Sequence, residues 1–172
     1  MDEVSFVIRL LKDNWGTAVD AAGISQHQVT PIFIDIRSLE PGKGRRFDAD
    51  QSAVVIVYED SATLTHPTID RAVRNEDYSF TLHLRVLHQK DWSDLTFSRV
   101  RLTSLYQTAR YILERNGLRP KIYVKTNGGF SEVVEESAEL IQITGRSEAN
   151  DRGKRLLGYK MTVNMKRFGR NT

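Results

Sequence analysis

The chain has 172 residues, of which 40% are hydrophobic and 27% charged, and its formal net charge is +3. A chain of this length suits one domain and can bury a core. The lack of cysteine excludes disulfides and zinc sites of the cysteine type, and no apolar run approaches the roughly 20 residues that span a bilayer. We therefore expect a soluble globular protein with no membrane partner, and the acidic Asp2 and Glu3 argue against an export signal.

The first third of the chain predicts one helix and two strands. The apolar face of the helix is formed by Val4, Ile8, Leu11 and Trp15. We expect this helix to end in the segment 16–23, which begins and ends with glycine. A strand is predicted over 32–36, and the continuous apolar run 53–58 predicts a strand covered on both faces. The polar segment 59–77 that follows is expected to be an irregular insert.

The middle of the chain gives the clearest pattern. Strict alternation of apolar and polar residues over 78–88 predicts a strand with one buried and one polar face. The next segment, 95–115, has an apolar stripe at helical spacing and predicts one long helix. Asn116 and Gly117 are typical of a helix C-terminus. The candidate N-caps are Asp91, Ser93 and Asp94.

The remaining segments complete a predicted sheet. Short strands are expected at 122–124, 130–134, 140–144 and 158–165. Asn127 and Gly128 are typical of a two-residue hairpin turn. The last two strands are expected to pair antiparallel across a polar loop, 145–153, and a basic C-terminal tail is expected at 166–172.

These elements predict a single α+β domain over residues 1–172. We expect a mixed, mainly antiparallel sheet, with one long helix and a short N-terminal helix packed on one face. No internal repeat, low-complexity tract or linker interrupts the chain.

Residues that could carry out a reaction do not form a recognised pattern. The sequence Gly42-Lys43-Gly44 lacks the spacing of a phosphate-binding loop, and there is no G-x-S-x-G motif. The histidines, which we expect on solvated or polar faces, show no helical metal-ligand spacing and are His27, His66, His83 and His88. We therefore predict no enzyme, no metal and no cofactor, although a metal site or an acid–base pair assembled by the fold stays open.

Charged residues are unevenly distributed. Basic side chains crowd the C-terminal stretch, just after an acidic group that includes Glu132, Glu135, Glu136 and Glu139. These groups are either solvated faces or complementary patches that meet between copies of the chain. Arg99 and Arg110, eleven residues apart, share a face of the long helix, which leaves DNA binding open as an alternative.

Three parts of the chain together carry a likeness to a known family. They are the strand sequence YSFTLHLRV at 78–86, the helix 95–115, and a closing strand pair formed by AELIQITGRS at 138–147 and GYKMTVNM at 158–165. In the order of these elements the chain resembles the tail terminator or tail completion proteins of long-tailed phages and related archaeal viruses. The resemblance spans most of the chain but is a pattern of elements and not a sequence motif.

The resemblance implies a virion protein of the tail or neck, assembled in the host cytoplasm. Such a protein forms a homo-oligomeric ring, usually a hexamer, that caps the tail tube, ends its polymerisation and joins it to the head-side connector. Its partners would be further copies of itself, the tail tube protein and a connector or adaptor protein, with DNA only as cargo through the lumen. The alternatives are a head-completion or connector protein of the neck and a basic DNA-binding accessory protein.

Charge and predicted loop position indicate which residues would make these contacts. The expected basic contact residues are Lys43, Arg45, Arg46, Arg146, Arg152, Lys154 and Arg155. Their expected acidic partners are Glu132, Glu135 and Glu136.

Overall fold

A computed structural model describes residues 3–21, 30–35, 53–65, 73–88, 95–115, 121–126, 129–134, 138–153 and 155–170. In chain order, the elements within these ranges are α1 (Glu3–Ala21), β1 (Ile32–Asp35), β2 (Ala53–Thr65), β3 (Val73–Leu87), α2 (Thr96–Arg115), β4 (Lys121–Thr126), β5 (Gly129–Val134), β6 (Ala138–Glu148) and β7 (Leu156–Arg170).

Five of the strands form one mixed sheet, in the order β1-β2-β3-β7-β6. The strands β1 and β2 pair in parallel, whereas the other three pairings are antiparallel. The strands β4 and β5 form a separate antiparallel hairpin. The predicted α+β class with a mixed, mainly antiparallel sheet is therefore confirmed.

Both helices cover the same face of the five-stranded sheet. Alternate strand residues such as Val55, Leu82 and Met161 belong to one buried cluster with Leu10 of α1 and Leu105 of α2. Each of these side chains is almost fully excluded from solvent, and burial of an aliphatic side chain of this size contributes about 1.5–3 kcal/mol. This packing confirms the prediction that the two helices lie on one face.

The other face of the sheet carries a second, smaller apolar cluster near its β1 edge. Ile34, Val54 and Ile56 are buried there, and Ile32 and Tyr58 pack against them. Since Val55 and Val57 point to the helix side, residues 53–57 of β2 are buried on both faces. The continuous apolar run therefore forms a doubly covered strand, as predicted.

Helix α1 is longer than the sequence predicted, because it continues through Gly16 to Ala21. Gly16 is exposed, and the buried Trp15, Ala18 and Val19 prolong the apolar face beyond it. A glycine inside a helix costs about 1 kcal/mol relative to alanine. Burial of Trp15, whose ring lies edge-on to Phe33 at 5.4 Å, outweighs that cost.

Three segments expected to lie outside the predicted strands are largely or partly strand. β2 continues to Thr65 and β3 begins at Val73, so the expected insert 59–77 is largely paired strand. β7 continues to Arg170, which removes most of the expected basic tail, and β6 continues to Glu148 through the start of the expected loop 145–153. These polar stretches pair through backbone groups, which need no apolar alternation.

Other expectations are confirmed or fall outside the described ranges. The long helix begins at Thr96 and ends at Arg115, and Thr126 pairs with Gly129 across the predicted hairpin. The candidate caps of α2, Asn127 and Gly128 lie outside the described residues. Neither helix within the described ranges has the length and apolar character needed to cross a membrane.

Candidate assembly surface

The strand β2 changes character halfway along its 13 residues. Residues 53–57 are all buried, whereas residues 59–63 are all exposed. A run of consecutive exposed residues in a strand means that both faces of the sheet meet solvent, because successive side chains alternate between faces. A β-bulge between Glu59 and Ser61 lies at the change.

Beyond this bulge, three strands continue together as what we call the β arm, formed by residues 61–65, 73–77 and 166–170. The register joins Thr63 to Asp77 and Asp77 to Lys166, which places all three strands side by side. The Asp77 carboxylate lies 3.5 Å from the Lys166 ammonium on the surface of the β arm. Because an exposed ion pair contributes only about 0–1 kcal/mol, the backbone ladder is the main connection between these strands.

Tyr78 marks the base of the β arm, where the core begins. Its ring packs against the buried cluster, and its hydroxyl donates a hydrogen bond of 2.6 Å to Glu76. Burial raises the pKa of Tyr78 above its usual value, and the hydrogen bond and charge of Glu76 and the nearby Glu3 raise it further. The phenol therefore stays protonated and remains a donor to the β arm.

The sheet face opposite the helices is polar around His83. The His83 ring lies 4.7 Å from the Tyr58 ring, and Nη2 of Arg85 lies 3.0 Å from its Nδ1. Burial, then the charges of Arg85 and Lys160, lowers the pKa of His83 to about 4. The imidazole is therefore neutral at pH 7, and its Nδ1 is the acceptor for the arginine.

Arg146 lies in the edge strand β6 and not in a loop, which corrects the sequence-based interpretation. It is paired with Met161 of β7, so its side chain lies on the helix face of the sheet. Its guanidinium carbon is 4.9 Å from the ring centroids of both Tyr106 of α2 and Tyr159 of β7. We call these three side chains the arginine seat.

Arg152 and Arg155 lie together on the short connection between β6 and β7. The connection is closed by two backbone hydrogen bonds of 2.8 Å between Asp151 and Leu156. Both arginines are exposed, and Arg155 adopts a left-handed backbone with a φ of 53°. The turn therefore presents two cationic side chains at one end of the sheet.

The other expected contact residues are not brought into a described site. Glu132 lies in β5, within the stretch whose side chains are not described. Six of the expected contact residues lie outside the described ranges, namely Lys43, Arg45, Arg46, Glu135, Glu136 and Lys154. The expected contacts of the acidic and basic residues with a partner therefore stay predictions.

Sequence reasoning did not identify the two tyrosines that flank Arg146 as part of a site. In a regular antiparallel ladder, alternation would have placed Tyr159 and Met161 on one face of β7. Which residues of β6 lie opposite these two residues depends on a register shift between Ile143 and Gly145. No pattern in the sequence predicts this shift. The signal for Tyr106 was its place at the margin of the apolar stripe of α2.

The histidines are placed differently from one another. His88 was expected on a solvated or polar face, but it is 1% exposed, and its Nδ1 lies 2.8 Å from the hydroxyl of the buried Ser98. Ser98 belongs to α2, so the His88 ring contacts this helix. His27 and His66 lie outside the described ranges, and no group of three or more potential metal ligands occurs within those ranges.

The two arginines proposed for a nucleic-acid stripe both lie on the exposed side of α2. Arg110 is not available as an isolated cation, because its Nε lies 2.6 Å from a carboxylate oxygen of Glu114. This i,i+4 pair partly neutralises the stripe and weakens the case for phosphate binding.

Comparisons with known proteins place few limits on function. No family model and no curated protein matches the chain. Among solved structures, it is similar to a chain described as "Virion of native gene transfer agent (GTA) particle", with 7% identity and a TM-score of 0.48. The likeness covers 90% of this chain and 92% of that one. At this identity and score it assigns no function.

Proposed function

We propose that the chain is a structural virion protein that assembles into a ring of about six copies. The ring caps the tail tube, ends its polymerisation and joins it to the head-side connector, while DNA passes through the lumen as cargo. The observation that carries the proposal is the β arm, in which 61–63 expose both faces of a paired strand.

A stretch of strand that is exposed on both faces, such as 61–63, gains little stability from burial. Strands gain most of their stability from a buried face, and small ribbons are marginal in water. The β arm is held at its base by the core around Tyr78 and is therefore available to pack against a neighbouring protein. Packing between copies would cover surface that the isolated chain leaves open.

Ring closure supplies the physical basis for a terminator. A head-to-tail contact between copies produces either an open filament or, where the rotation closes, a finite ring. A ring that matches the tail tube on one face only would stop further addition on the other. We propose that the basic and acidic residues expected from the sequence set the rotation between copies and the docking to the tube.

The test is to measure the mass of the purified chain in solution and to image it by electron microscopy. Rings of about six copies are expected, and adding the chain to polymerising tail tube protein should shorten the tubes. A heat-unfolded sample of the same chain serves as the control for nonspecific inhibition. A chain that stays monomeric at every concentration and leaves tube length unchanged would contradict the proposal.

A further inference from the structure

We propose that the arginine seat binds a carboxylate from the acidic segment 132–139 of a second copy of this chain. This contact would fix the rotation between neighbouring subunits. The inference rests on the proposed ring and adds to it the residues and the direction of one contact between subunits.

The seat positions a cation beside two aromatic rings. The guanidinium carbon of Arg146 lies 4.9 Å from each of two ring centroids, and the rings of Tyr106 and Tyr159 are 5.8 Å apart at an interplanar angle of 73°. Contact with two rings restricts where the guanidinium can lie and keeps its positive charge. Its planar set of N–H donors matches the two oxygens of a carboxylate.

Two arginines of the helices are paired with acidic residues of the same helix. Arg110 lies 2.6 Å from Glu114 and Arg9 lies 3.6 Å from Asp13, each within its own helix. Within the described part of the chain, no carboxylate lies at ion-pair distance from Arg146, although the residue is exposed. A cation positioned by two rings, with no acidic partner among the described residues, is a suitable site for an external anion.

Within one chain, Glu139 and Arg146 lie towards opposite ends of β6. Glu139 is the second residue of β6, and Arg146 follows seven residues later, so about 23 Å of strand separates their backbones at ~3.3 Å per residue. A second copy placed head to tail would bring its acidic end to the arginine seat. The contact would join two different surfaces and could repeat around a ring.

Directed cross-linking tests this geometry, because the natural chain has no cysteine. Glu148 is exposed and pairs with Tyr159, so it lies on the same face of β6 as Arg146, and Ser137 lies within the acidic segment in the sequence. Full-length Glu148→Cys and Ser137→Cys proteins are prepared separately and then mixed under mild oxidation. A disulfide-linked dimer is expected in the mixture and not in either protein alone. A dimer formed equally well by Glu148→Cys alone would indicate a two-fold contact and overturn the inference.

Side-chain replacement tests the chemistry in the same assay. Arg146→Ala should weaken self-association about tenfold or more, whereas Arg146→Lys, which keeps the charge without the planar fork, should have an intermediate effect. Lys12→Ala removes an exposed cation from α1 and is the matched control. Replacing Glu132, Glu135, Glu136 and Glu139 together by glutamine should reproduce the loss, and combining it with Arg146→Ala should add little.

The possible results distinguish a failure of the arginine seat from a failure of the proposed ring. Each variant is first shown to fold by circular dichroism and thermal melting. Rings that form normally with Arg146→Ala would overturn the arginine seat and leave the proposed ring intact, whereas a wild-type chain that never self-associates would overturn both. Loss of salt-dependent DNA retention in Arg146→Ala, with self-association unchanged, would assign the seat to phosphate and overturn the proposal.

Discussion

Gly158 lies at the start of β7, where the backbones of three segments approach closely. A Cβ atom at this position would lie 2.7 Å from the carbonyl oxygen of Ala149 and 3.1 Å from that of Leu84. The Gly158 carbonyl also accepts a hydrogen bond of 2.9 Å from the Ala149 N–H, so the backbone cannot shift freely. We expect Gly158→Ala to lower the free energy of unfolding by about 1–3 kcal/mol, as overpacking does, measured by urea titration.

Gly16 provides the matched comparison. It lies exposed within α1, and a Cβ atom there would meet nothing within 4 Å. Gly16→Ala should raise the free energy of unfolding by about 0.5–1 kcal/mol, because it removes backbone freedom from the unfolded chain. If the two substitutions changed the free energy of unfolding equally, close packing would not be the reason for glycine at position 158.

His83 is expected to make folding stability depend on pH. Its pKa is lowered to about 4 in the fold, from an ordinary value of 6.5, by burial, Arg85 and Lys160 against the opposing effect of Asp60. The unfolded chain therefore binds a proton at a higher pH than the folded chain does. The stability contributed by the neutral ring is complete above pH 6.5 and is lost as the pH falls towards 4.

Comparison of the wild-type chain with His83→Gln isolates this contribution. Urea midpoints measured from pH 7 down to pH 4 should fall more steeply for the wild-type chain. The other titrating groups are common to both proteins, so the difference belongs to His83. Parallel pH profiles would contradict the expectation.

At the scale of elements, a buried hydrogen bond joins the end of β3 to α2. His88 and Ser98 are 1% and 4% exposed, and their polar atoms are 2.8 Å apart. Ser98→Ala should lower the free energy of unfolding by about 1–3 kcal/mol, because it removes one of the polar partners of a buried imidazole. Thr103→Ala, on the exposed side of α2, is the control and should change little in the same thermal or urea melt.

The elements with strong periodicity were predictable. The alternation over 78–88 and the stripe over 95–115 gave β3 and α2, because burial of one face enforces those periods. The extension of α1 past Gly16 was not predictable from local signals, since tertiary burial of Trp15 and Val19 decides it. The β arm was missed because its polar residues carry no period, although their backbones pair.

The candidate contact surface was predictable only in part. Charge counts identified Arg146, Arg152 and Arg155, but they could not separate a strand residue stacked on two rings from two residues of a turn. That distinction depends on the strand register and on the packing of α2 against the sheet edge. Both are long-range properties that a local pattern does not contain.

At the scale of the whole molecule, we expect substitutions in the β arm to affect assembly without affecting folding stability. Ser61 and Thr63 are exposed and lie beyond the last buried stretch of β2. The double substitution Ser61→Lys and Thr63→Lys should change the free energy of unfolding by no more than about 0.5 kcal/mol, since it touches no core contact. It should weaken ring formation, because two added charges would have to be desolvated at a packed interface.

Sedimentation of the double lysine variant beside Thr17→Lys, on the exposed side of α1, measures this effect. Both variants add lysine at exposed positions outside the core. If the α1 variant disrupts assembly and the variant in the β arm does not, the β arm is not part of the interface.

Because β2 changes abruptly from buried to exposed residues, amide protons in its two halves should report on different opening events. Amide protons at Val55 and Val57, under the helices, should exchange with deuterium only when the whole fold opens, whereas those at Ser61 and Thr63 should exchange through local fraying. Slowed exchange confined to the second pair on oligomerisation would locate the subunit boundary without any substitution.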